Sequence, residues 1–558
     1  MEDPDEQLFE TLRDCGLALK VPITTLKLDD FEYPCIRPEH LFKAFADEGH
    51  LNRVLGVPIS QAKDALNEFW RKWRIVNPTH EICQGEENWS RLLPFYLHGD
   101  GGRTYKKDPI LILSMFNCLG RGTAKKTVSL QPSGGMKRKH HDSDSDIDEA
   151  FDPGVNLLGH SFTHRFLFTA MKAEFYKNNR GRFNSLIDQW GQQLAELYNP
   201  GVEIDGTKWR IVILGLTGDA PFLREAGFHN RSFSNVKKSH QSKAKCKGVC
   251  WLCGAGKSDD QPFEDVNVSE AKWLQTIGRN NPLPWDTPGP LLAHLMIDQE
   301  DPASFYKPDL FHILHSGVGK DFCASSLIYF CRITFKESRI ALGLDTVNDL
   351  FRKFLIEGHE RVNFSKFTFD MLGYESSKSF PTGHWSKGLD TAVVTKFIEH
   401  VVTNYGDLAH GIPKLILQAS MAINHAMRLL FSSSYWMSEE DAWQTIYAGQ
   451  EFLHCYVQLA RICHAQNLCL FKLKPKLHMM CHIVLRMLQE FKKDPSCVVN
   501  PVAEATFMSE DFVGHVSRLS RRVNARRHGK KIFNRYFVAV ANKLAKEEKD
   551  GKGVRLQV

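Results

Sequence analysis

The chain has 558 residues, of which 42% are hydrophobic and 24% charged, and its formal net charge is +6. These values are ordinary for a globular protein, and no apolar run approaches the roughly 18 residues of a membrane helix, so we expect no membrane partner. The acidic start MEDPDEQLFETL is unlike a secretory signal. We therefore expect an intracellular protein whose 14 scattered cysteines are reduced, so that clustered cysteines are candidate metal ligands.

The first 85 residues are predicted to form short helices without a recognisable motif. The amphipathic stretch DALNEFWRKWRIV (64–76) is basic enough to contact DNA, but its aromatic residues recur at helical spacing. We expect Phe69, Trp70 and Trp73 to pack in the interior.

A sheet-forming pattern extends from residue 86 to residue 235. Four apolar segments bounded by turn residues predict strands, and one segment with apolar residues at helical spacing predicts a helix. In chain order these are strands at 91–100 and 109–120, a third strand within 164–175, a helix at 182–198 and a fourth strand at 208–219.

The segment 131–154, between the second and third strands, is polar and poor in apolar residues. We predict a disordered surface loop there, because such a segment cannot build a core. The loop contains the basic cluster KRKHH, and on this cluster we expect a nuclear location.

The first and fourth strands both end on Gly-Asp, at Asp100 and Asp219. The order of the elements matches the ribonuclease H-like fold, a mixed α/β core with three antiparallel strands, a helix and a parallel strand. In that fold the ends of the first and fourth strands are neighbours, so the two aspartates would be adjacent. The alternative for each aspartate is a turn or a helix cap, which is common for Asp beside Gly.

Adjacent carboxylates of this kind can bind divalent metal ions. Mg²⁺ prefers oxygen ligands, and two ions can activate the attacking oxygen and stabilise the leaving oxygen of a phosphodiester. We predict a site for two Mg²⁺ or Mn²⁺ ions, completed by a third acid from a late helix. Glu510 is favoured because SEDFVGHVSRLSRR leads into a basic stretch, and Asp511 and Glu504 are the alternatives.

The region 336–495 is predicted to be mostly α-helical, because its apolar residues recur with a period of 3.6. We interpret it as a large helical insertion into the α/β core. The predicted organisation is an N-terminal helical region (1–85), the first part of the core (86–235), a Cys-containing insertion (236–284), a continuation of the core (285–335), the helical insertion (336–495) and a last part with an acid-bearing helix and a basic tail (496–558).

A second candidate metal site combines cysteines with histidines. Cys250 and Cys253 form a CxxC unit, which sets two thiolates at the separation that tetrahedral zinc needs. His478 and His482 are four residues apart on one face of a predicted helix, a spacing that also suits zinc. The alternative is a set of buried thiols and histidines without metal.

Cys246 and His240 are local alternatives that would close a zinc site without the distant histidines. In KPDLFHILHSGVGKDF (307–322), Asp309, His312 and His315 recur on a predicted helix and could approach a phosphate or a metal, although such histidines more often cap or pack. GAGKS and GVGKD lack the spacing of a phosphate-binding loop, so no nucleotide cofactor is expected.

The segment 515–535 is dense in cations and contains no acid, which suits a nucleic-acid backbone. The alternative is a solvated basic helix face. The residues predicted to contact double-stranded DNA are Arg518, Arg521, Arg522, Arg526, Arg527, Lys530 and Lys531.

The order of these motifs resembles that of eukaryotic cut-and-paste DDE transposases with a helical insertion and a two-cysteine, two-histidine zinc site. The resemblance rests on the two Gly-Asp strand ends, the CxxC, the HxxxH and the acid that follows, and it covers about residues 90–535. CACTA-type and Kyakuja–Dileera–Zisupton-type elements are the nearest type, and the catalytic subunit of the V(D)J recombinase shares the layout.

The resemblance implies that Asp100, Asp219 and Glu510 are catalytic acids that hold two metal ions. It implies that the CxxC and HxxxH residues form a structural zinc site, which positions the helix bearing Glu510. The substrate would be double-stranded DNA at the element ends and at the target, and a homo-oligomer is an expected assembly. Two other functions share these motifs: a catalytically inactive, zinc-stabilised DNA-binding protein of transposon origin, and an RNase H-like nuclease that only hydrolyses.

Overall fold

A mixed five-stranded β-sheet lies at the centre of the structure, with helices packed against it. The computed structural model describes residues 4–104, 108–123, 153–236, 246–335, 339–409, 411–521, 523 and 528–555. The buried hydrophobic side chains of the N-terminal region, the sheet, the helical region and the C-terminal helices form one cluster. The predicted mixed α/β class is confirmed.

All of the strands in the described residues lie before Asp219, and most of the helices follow them. The strands are β1 (Thr24–Leu28), β2 (Phe31–Cys35), β3 (Leu92–Arg103), β4 (Pro109–Asn117), β5 (Leu119–Gly120), β6 (Gly154–Val155), β7 (Phe166–Lys172), β8 (Val202–Ile204) and β9 (Thr207–Gly218). The helices are α1 (Pro4–Asp14), α2 (Pro38–Asp47), α3 (Leu51–Leu55), α4 (Ala62–Val76), α5 (Arg180–Tyr198), α6 (Ala220–Ala226), α7 (Gly319–Tyr329), α8 (Ile340–Glu357), α9 (Asp390–Tyr405), α10 (Gly411–Ser432), α11 (Glu439–Ala465), α12 (Pro475–Lys493), α13 (Phe507–Ser520) and α14 (His528–Arg555).

The central sheet has the strand order β7-β4-β3-β9-β8. Strand β4 runs antiparallel to its neighbours β3 and β7, and β9 runs parallel to β3 after the crossover through α5. The predicted succession of three antiparallel strands, a helix and a parallel strand is therefore present. The short β8, which pairs antiparallel with β9 at the sheet edge, lies outside that prediction.

The pairing of β3 with β9 decides where the two Gly-Asp ends lie. Gly99 of β3 is directly opposite Gly218 of β9, with one register shift between Phe95 and Tyr96. Because the strands are parallel, Asp100 and Asp219 follow these paired residues at the same edge of the sheet. The predicted adjacency of the two strand ends is correct.

The N-terminal region differs from the prediction of helices alone. Strands β1 and β2 form an antiparallel hairpin between α1 and α2. The aromatic residues of α4 pack in the interior as expected, since Phe69 and Trp70 are fully buried and Trp73 is nearly so. The indole N–H of Trp70 donates to the carbonyl oxygen of Leu92 at 2.8 Å, which fixes α4 to the start of β3.

Helices α8 to α12 make up most of the region 339–493, in agreement with the predicted helical character, although residues 358–389 contain no helix. Residues 124–152 lie outside the described residues, so the disordered loop remains a prediction over that range. Gly154, which the sequence assigns to the loop, instead begins β6 and pairs with Gly120. Among the helices that the structure describes, none is both long and apolar enough to cross a membrane.

Candidate metal centre and carboxylate site

Two cysteines and two histidines from distant parts of the chain meet in one buried cluster. Their candidate ligand atoms all lie within 4.8 Å of one another. The His482 Nε2 atom is 3.3 Å from the Sγ atoms of both Cys250 and Cys253, and His478 Nε2 is 3.2 Å from Cys253 Sγ. Ligands of a tetrahedral zinc ion are about 3.3–3.8 Å apart, as follows from Zn–N and Zn–S bond lengths. The cluster could therefore hold a zinc ion through the predicted residues.

Backbone N–H groups of the CxxC loop point at the sulfur atoms of both cysteines. The N–H of Leu252 points at Cys250 Sγ at 3.3 Å, and the N–H of Ala255 points at Cys253 Sγ at 3.4 Å. Such donors favour the thiolate form that binds metal. The buried guanidinium of Arg231 donates to the carbonyl oxygens of Cys250 (3.2 Å) and Cys253 (2.6 Å). These hydrogen bonds fix the backbone of the loop.

The histidines are presented by helix α12, where a spacing of four places them on one face. The ring of Trp273 lies against both, with centroid distances of 4.6 Å to His478 and 5.0 Å to His482. Cys246 is partly exposed and is not a member of the cluster, so this alternative ligand is not brought to the site. The other alternative, His240, lies outside the described residues.

The two strand-end aspartates have different local roles. Asp219 is the N-cap of α6, and its Oδ1 atom accepts a hydrogen bond from the N–H of Phe222 at 2.7 Å. The helix-cap interpretation is therefore correct for Asp219. The cap does not remove Asp219 from the neighbourhood of Asp100, because the negative charge of Asp219 still acts on the Asp100 carboxyl at the shared sheet edge.

Two of the three glycines around Asp100 are required by packing. A Cβ atom on Gly99 would lie 2.0 Å from the ring of Phe222, and one on Gly102 would lie 2.0 Å from Ser517 Oγ. Gly99 thus allows Phe222 of α6 to pack closely against β3. Gly102 allows α13 to pack on the face of β3 that carries Asp100. Gly101 faces open space, with nothing within 4 Å of such an atom.

Helix α13 brings Glu510 to Asp100. The Glu510 and Asp100 carboxyl groups are close enough to share a hydrogen bond. Burial and the nearby Asp219 charge raise the pKa of Asp100 to about 6, and burial and the Asp100 charge raise the pKa of Glu510 to about 8. Two carboxyl groups in contact cannot both ionise without a counter-charge, so this pair suits a bound cation.

His312 supplies positive charge to the same site. Its Nε2 atom is 3.6 Å from Glu510 Oε1, and its Nδ1 atom is 2.5 Å from the buried Asp309. Burial lowers the pKa of His312, but Asp309, Glu510 and Asp100 outweigh burial and raise it to about 9. Asp309 also accepts from the Thr506 N–H (3.0 Å) and hydroxyl (2.6 Å), which ties His312 to the start of α13.

The three favoured acids do not meet as tightly as the zinc ligands. Within the described ranges, the Cys/His cluster is the one group of at least three Cys, His, Asp or Glu side chains whose ligand atoms all approach within 4.8 Å. Asp100 and Glu510 are in contact, whereas Asp219 acts on Asp100 through its charge. A site with two ions about 3.5–4 Å apart does not require every carboxylate to touch every other one.

The structure separates Glu510 from its two alternatives. Asp511 points away, where its Oδ2 atom accepts from Ser161 Oγ (2.7 Å) and lies 3.0 Å from His515 Nδ1. Glu504 is buried in a different cluster, in an ion pair with Arg486. The structure therefore brings Glu510, and neither of these two acids, beside Asp100.

One buried residue at the site carries no motif in the sequence. His98 lies two residues before Asp100, on the same face of β3, and is fully buried. Neither ring nitrogen has a hydrogen-bond partner among the described residues, and burial lowers the pKa of His98 to about 3. His98 was not predicted because it lies in an apolar strand segment without a motif. Only the alternation of side chains along β3 could have placed it on the same face as Asp100.

The described part of the basic segment continues from the carboxylate site. Glu510, Arg518 and Arg521 recur at helical spacing, and both arginines are exposed. Arg521 also donates to the carbonyl oxygen of Arg103, at the end of β3 (3.2 Å). Lys530 is exposed at the start of α14 and Lys531 is partly buried. Arg522, Arg526 and Arg527 lie outside the described residues.

Comparison with known proteins adds no family. No protein-family model matches the chain, and no curated protein matches it significantly. The functional interpretation therefore rests on the residues and their geometry.

Proposed function

We propose that this protein is a DDE-type transposase, or an enzyme derived from one, that cleaves and joins DNA phosphodiesters. The observation that supports it best is the meeting of Asp100, from a sheet edge shared with Asp219, with Glu510 from a distant helix. The predicted strand order accounts for the position of Asp100, and the late acid that joins it, Glu510, was predicted independently.

Asp100, Asp219 and Glu510 would hold two Mg²⁺ or Mn²⁺ ions. The raised pKa values of Asp100 and Glu510 support this, because the single charge of His312 does not offset the crowded carboxyls, which are therefore arranged for a further cation. When bound, such ions activate the attacking oxygen and stabilise the leaving oxygen of a phosphodiester. Asp219 would contribute Oδ2, since its Oδ1 atom caps α6.

The protein's own side chains would position the DNA and stabilise the charge on the phosphate. Water would attack a phosphodiester at an element end, and the freed 3′-hydroxyl would then attack target DNA. Positioning and charge stabilisation account for most catalysis of this kind. His312, kept charged by Asp309, faces the acids and would stabilise negative charge on the phosphate.

The exposed Arg518 of α13 and Arg521, the C-cap of that helix, would hold the DNA backbone. Arg518 and Arg521 lie eight and eleven residues after Glu510, which is about 12–16 Å along the helix axis. That distance corresponds to about four nucleotides of one strand. Zinc in the Cys/His cluster would be structural, because all four ligands are buried and no open position is left for substrate.

Purified protein tests the proposal with Mn²⁺, labelled duplex DNA and substitutions in the acids. Asp100→Asn, Asp219→Asn and Glu510→Gln should each reduce strand cleavage at least about a hundredfold, because each removes a charge that holds the ions. Asp511→Asn is the matched control on the same helix, and it should retain cleavage.

The products distinguish the competing functions. Joining of a 3′-hydroxyl end to a second duplex supports a transposase, whereas hydrolysis alone indicates the RNase H-like nuclease. DNA binding without any cleavage indicates the inactive zinc-stabilised protein. Cleavage that survives Asp100→Asn and Glu510→Gln would show that the acids are not the active site.

A further inference from the structure

A second buried charge cluster lies behind the carboxylate site. Glu504 is only 3% exposed, and its Oε2 atom pairs with the Arg486 guanidinium. Its Oε1 atom accepts from the Tyr96 hydroxyl at 3.1 Å and lies 3.8 Å from Lys307 Nζ. Arg486 Nε is also 3.6 Å from Glu490 Oε1. Both oxygens of Glu504 are thus engaged by protein donors, which leaves no vacant side for a catalytic ion.

The cluster shares a helix face with the zinc ligands. His478, His482, Arg486 and Glu490 follow one another at intervals of four on α12, so they form one stripe. Arg486 is one helical turn, about 6 Å, beyond His482. The same rigid element therefore carries two metal ligands at one end and the partner of Glu504 at the other.

Glu504 also contacts the elements that carry the three acids. Tyr96 precedes Asp100 by four residues on β3, on the same face of the strand. The backbone N–H of Lys307 donates to the carbonyl oxygen of Leu216, three residues before Asp219 (2.9 Å). Glu504 itself ends the turn that leads to Thr506, the N-cap of the helix bearing Glu510.

We propose that Glu504 is a positioning residue, which acts with Arg486 and Tyr96 to fix the relative placement of Asp100 and Glu510. The inference rests on the proposed function, because it explains how the zinc-bearing helix is coupled to the acids. Burial favours the neutral acid, but Arg486 and Lys307 outweigh it and hold the pKa of Glu504 below its usual range. Glu504 is thus an internal anion paired with a cation.

An ion-pair role and a metal-ligand role predict different results for a double substitution. Removing one partner of a buried pair leaves the other charge uncompensated, whereas replacing both with uncharged residues of similar size is often tolerated. If Glu504 were instead a metal ligand, a substitution of Arg486 would not restore the cleavage lost in Glu504→Gln. The comparison of single and double variants therefore separates the two roles.

The experiment measures Mn²⁺-dependent cleavage of labelled duplex DNA by Glu504→Gln, Arg486→Met and the double variant of the full chain. Each single variant should lose at least about tenfold in cleavage rate, and the double variant should regain at least about threefold over Glu504→Gln. Zinc content and urea unfolding are measured on the same preparations, and the zinc content should remain unchanged. A double variant no faster than Glu504→Gln would overturn the proposal.

A milder substitution keeps the test decisive if these variants fold poorly. Tyr96→Phe removes only the hydroxyl that donates to Glu504 and lies 3.2 Å from the Tyr435 hydroxyl. It should lower cleavage by about three- to tenfold, as expected for one buried hydrogen bond. Combined with Glu504→Gln, it should cause little further loss, because both act on one contact. Tyr456→Phe is the matched control, since Tyr456 is a buried tyrosine that donates to the Lys472 carbonyl in the helical region.

Asp100→Asn is included so that two failures can be told apart. If Asp100→Asn does not reduce cleavage, the proposed function is wrong, whatever the Glu504 variants do. If Asp100→Asn abolishes cleavage but Tyr96→Phe cleaves as fast as the parent protein, only the positioning role is wrong.

Discussion

At the scale of single residues, the carboxylate site is a case of crowded like charges. The Asp100 and Glu510 carboxyls are in contact, and Asp219 adds a further negative charge at the sheet edge. His312 offsets part of this charge through its contact with Glu510. Without divalent ions, the site therefore costs stability whenever both carboxyls are forced to ionise.

We predict that Asp100→Asn stabilises the protein at alkaline pH in buffer free of Mg²⁺ and Mn²⁺. The folded-state pKa values of Asp100 (about 6) and Glu510 (about 8) are raised, so the folded state binds more protons than the unfolded state. Stability is therefore lost as pH rises through about 6 to 8, and it is regained when Asp100 is neutralised. Urea unfolding at pH 8.5 should show a gain of about 1–2 kcal/mol, with a smaller gain at pH 5 and little difference near pH 3, below the ordinary pKa of both acids.

Asp511→Asn is the control with the opposite sign. Burial favours the neutral acid at Asp511, but hydrogen bonds from His515 and Ser161 outweigh it and lower the pKa. This variant should lose stability above about pH 4, the ordinary pKa of Asp. Equal behaviour of the two variants would mean that the Asp100–Glu510 contact is not significant in solution.

At the scale of elements, two helices organise the candidate sites. Helix α12 carries His478 and His482 to a CxxC loop that lies more than two hundred residues earlier in the chain. Helix α13 crosses β3 where Gly102 permits close approach, and it carries Glu510 and the exposed Arg518, with Arg521 as its C-cap. Each site therefore depends on a helix docked against a distant part of the chain.

We predict that Cys253→Ser removes zinc and lowers the thermal unfolding temperature, because a four-ligand site closes a very long loop. Cys246→Ser is the matched control, since Cys246 precedes the CxxC but is not in the cluster. Metal analysis should give about one zinc per chain for the parent and the control, and almost none for Cys253→Ser. Equal zinc contents in both variants would contradict the ligand assignment.

We predict that DNA binding depends on salt through α13. Replacing Arg518 and Arg521 with glutamine should reduce the slope of log K against log salt concentration by about 1.8, if each arginine neutralises one phosphate. Arg352→Gln with Lys353→Gln changes the same charge on the exposed face of α8 and should leave the slope unchanged. Fluorescence anisotropy with labelled duplex DNA measures both.

At the scale of the whole molecule, one hydrophobic cluster connects the N-terminal region, the sheet and the helices. Between these parts the chain also buries Glu504 and Glu490, which interact with the partly buried Arg486 and Lys307. Buried charges of this kind fix geometry at a cost in desolvation. The predicted boundaries at 85, 235, 284, 335 and 495 remain predictions.

We predict that Glu490→Gln makes the protein less sensitive to alkaline pH. Burial raises the pKa of Glu490 to about 7, so its contribution to stability is present at low pH and is lost as pH rises through 7. Glutamine can keep the hydrogen bond from the Val499 N–H (2.9 Å) without ionising. Relative to the parent, the unfolding free energy should rise by about 1–2 kcal/mol between pH 5 and pH 8.5.

Much of the secondary structure could be predicted because it depends on local periodicity. The four core strands, the helix between the third and fourth of them, and α9 to α12 all follow from alternation or from the 3.6 period. The hairpin β1–β2 was missed because its strands are five residues each and half exposed. The short β8 is recognisable only through its pairing with β9.

The candidate sites divide in the same way. Residue type and spacing marked the CxxC, the HxxxH and the two Gly-Asp strand ends as candidates, because metal chemistry restricts which side chains occur at such spacings. The resemblance to DDE transposases joined the CxxC and the HxxxH into one zinc site. Which acid faces Asp100 depends on the side of α13 that packs on β3, and the sequence left Glu510, Asp511 and Glu504 open. Tertiary packing placed Glu510 against Asp100, turned Asp511 to Ser161 and paired Glu504 with Arg486, because contacts between distant residues depend on how whole elements dock.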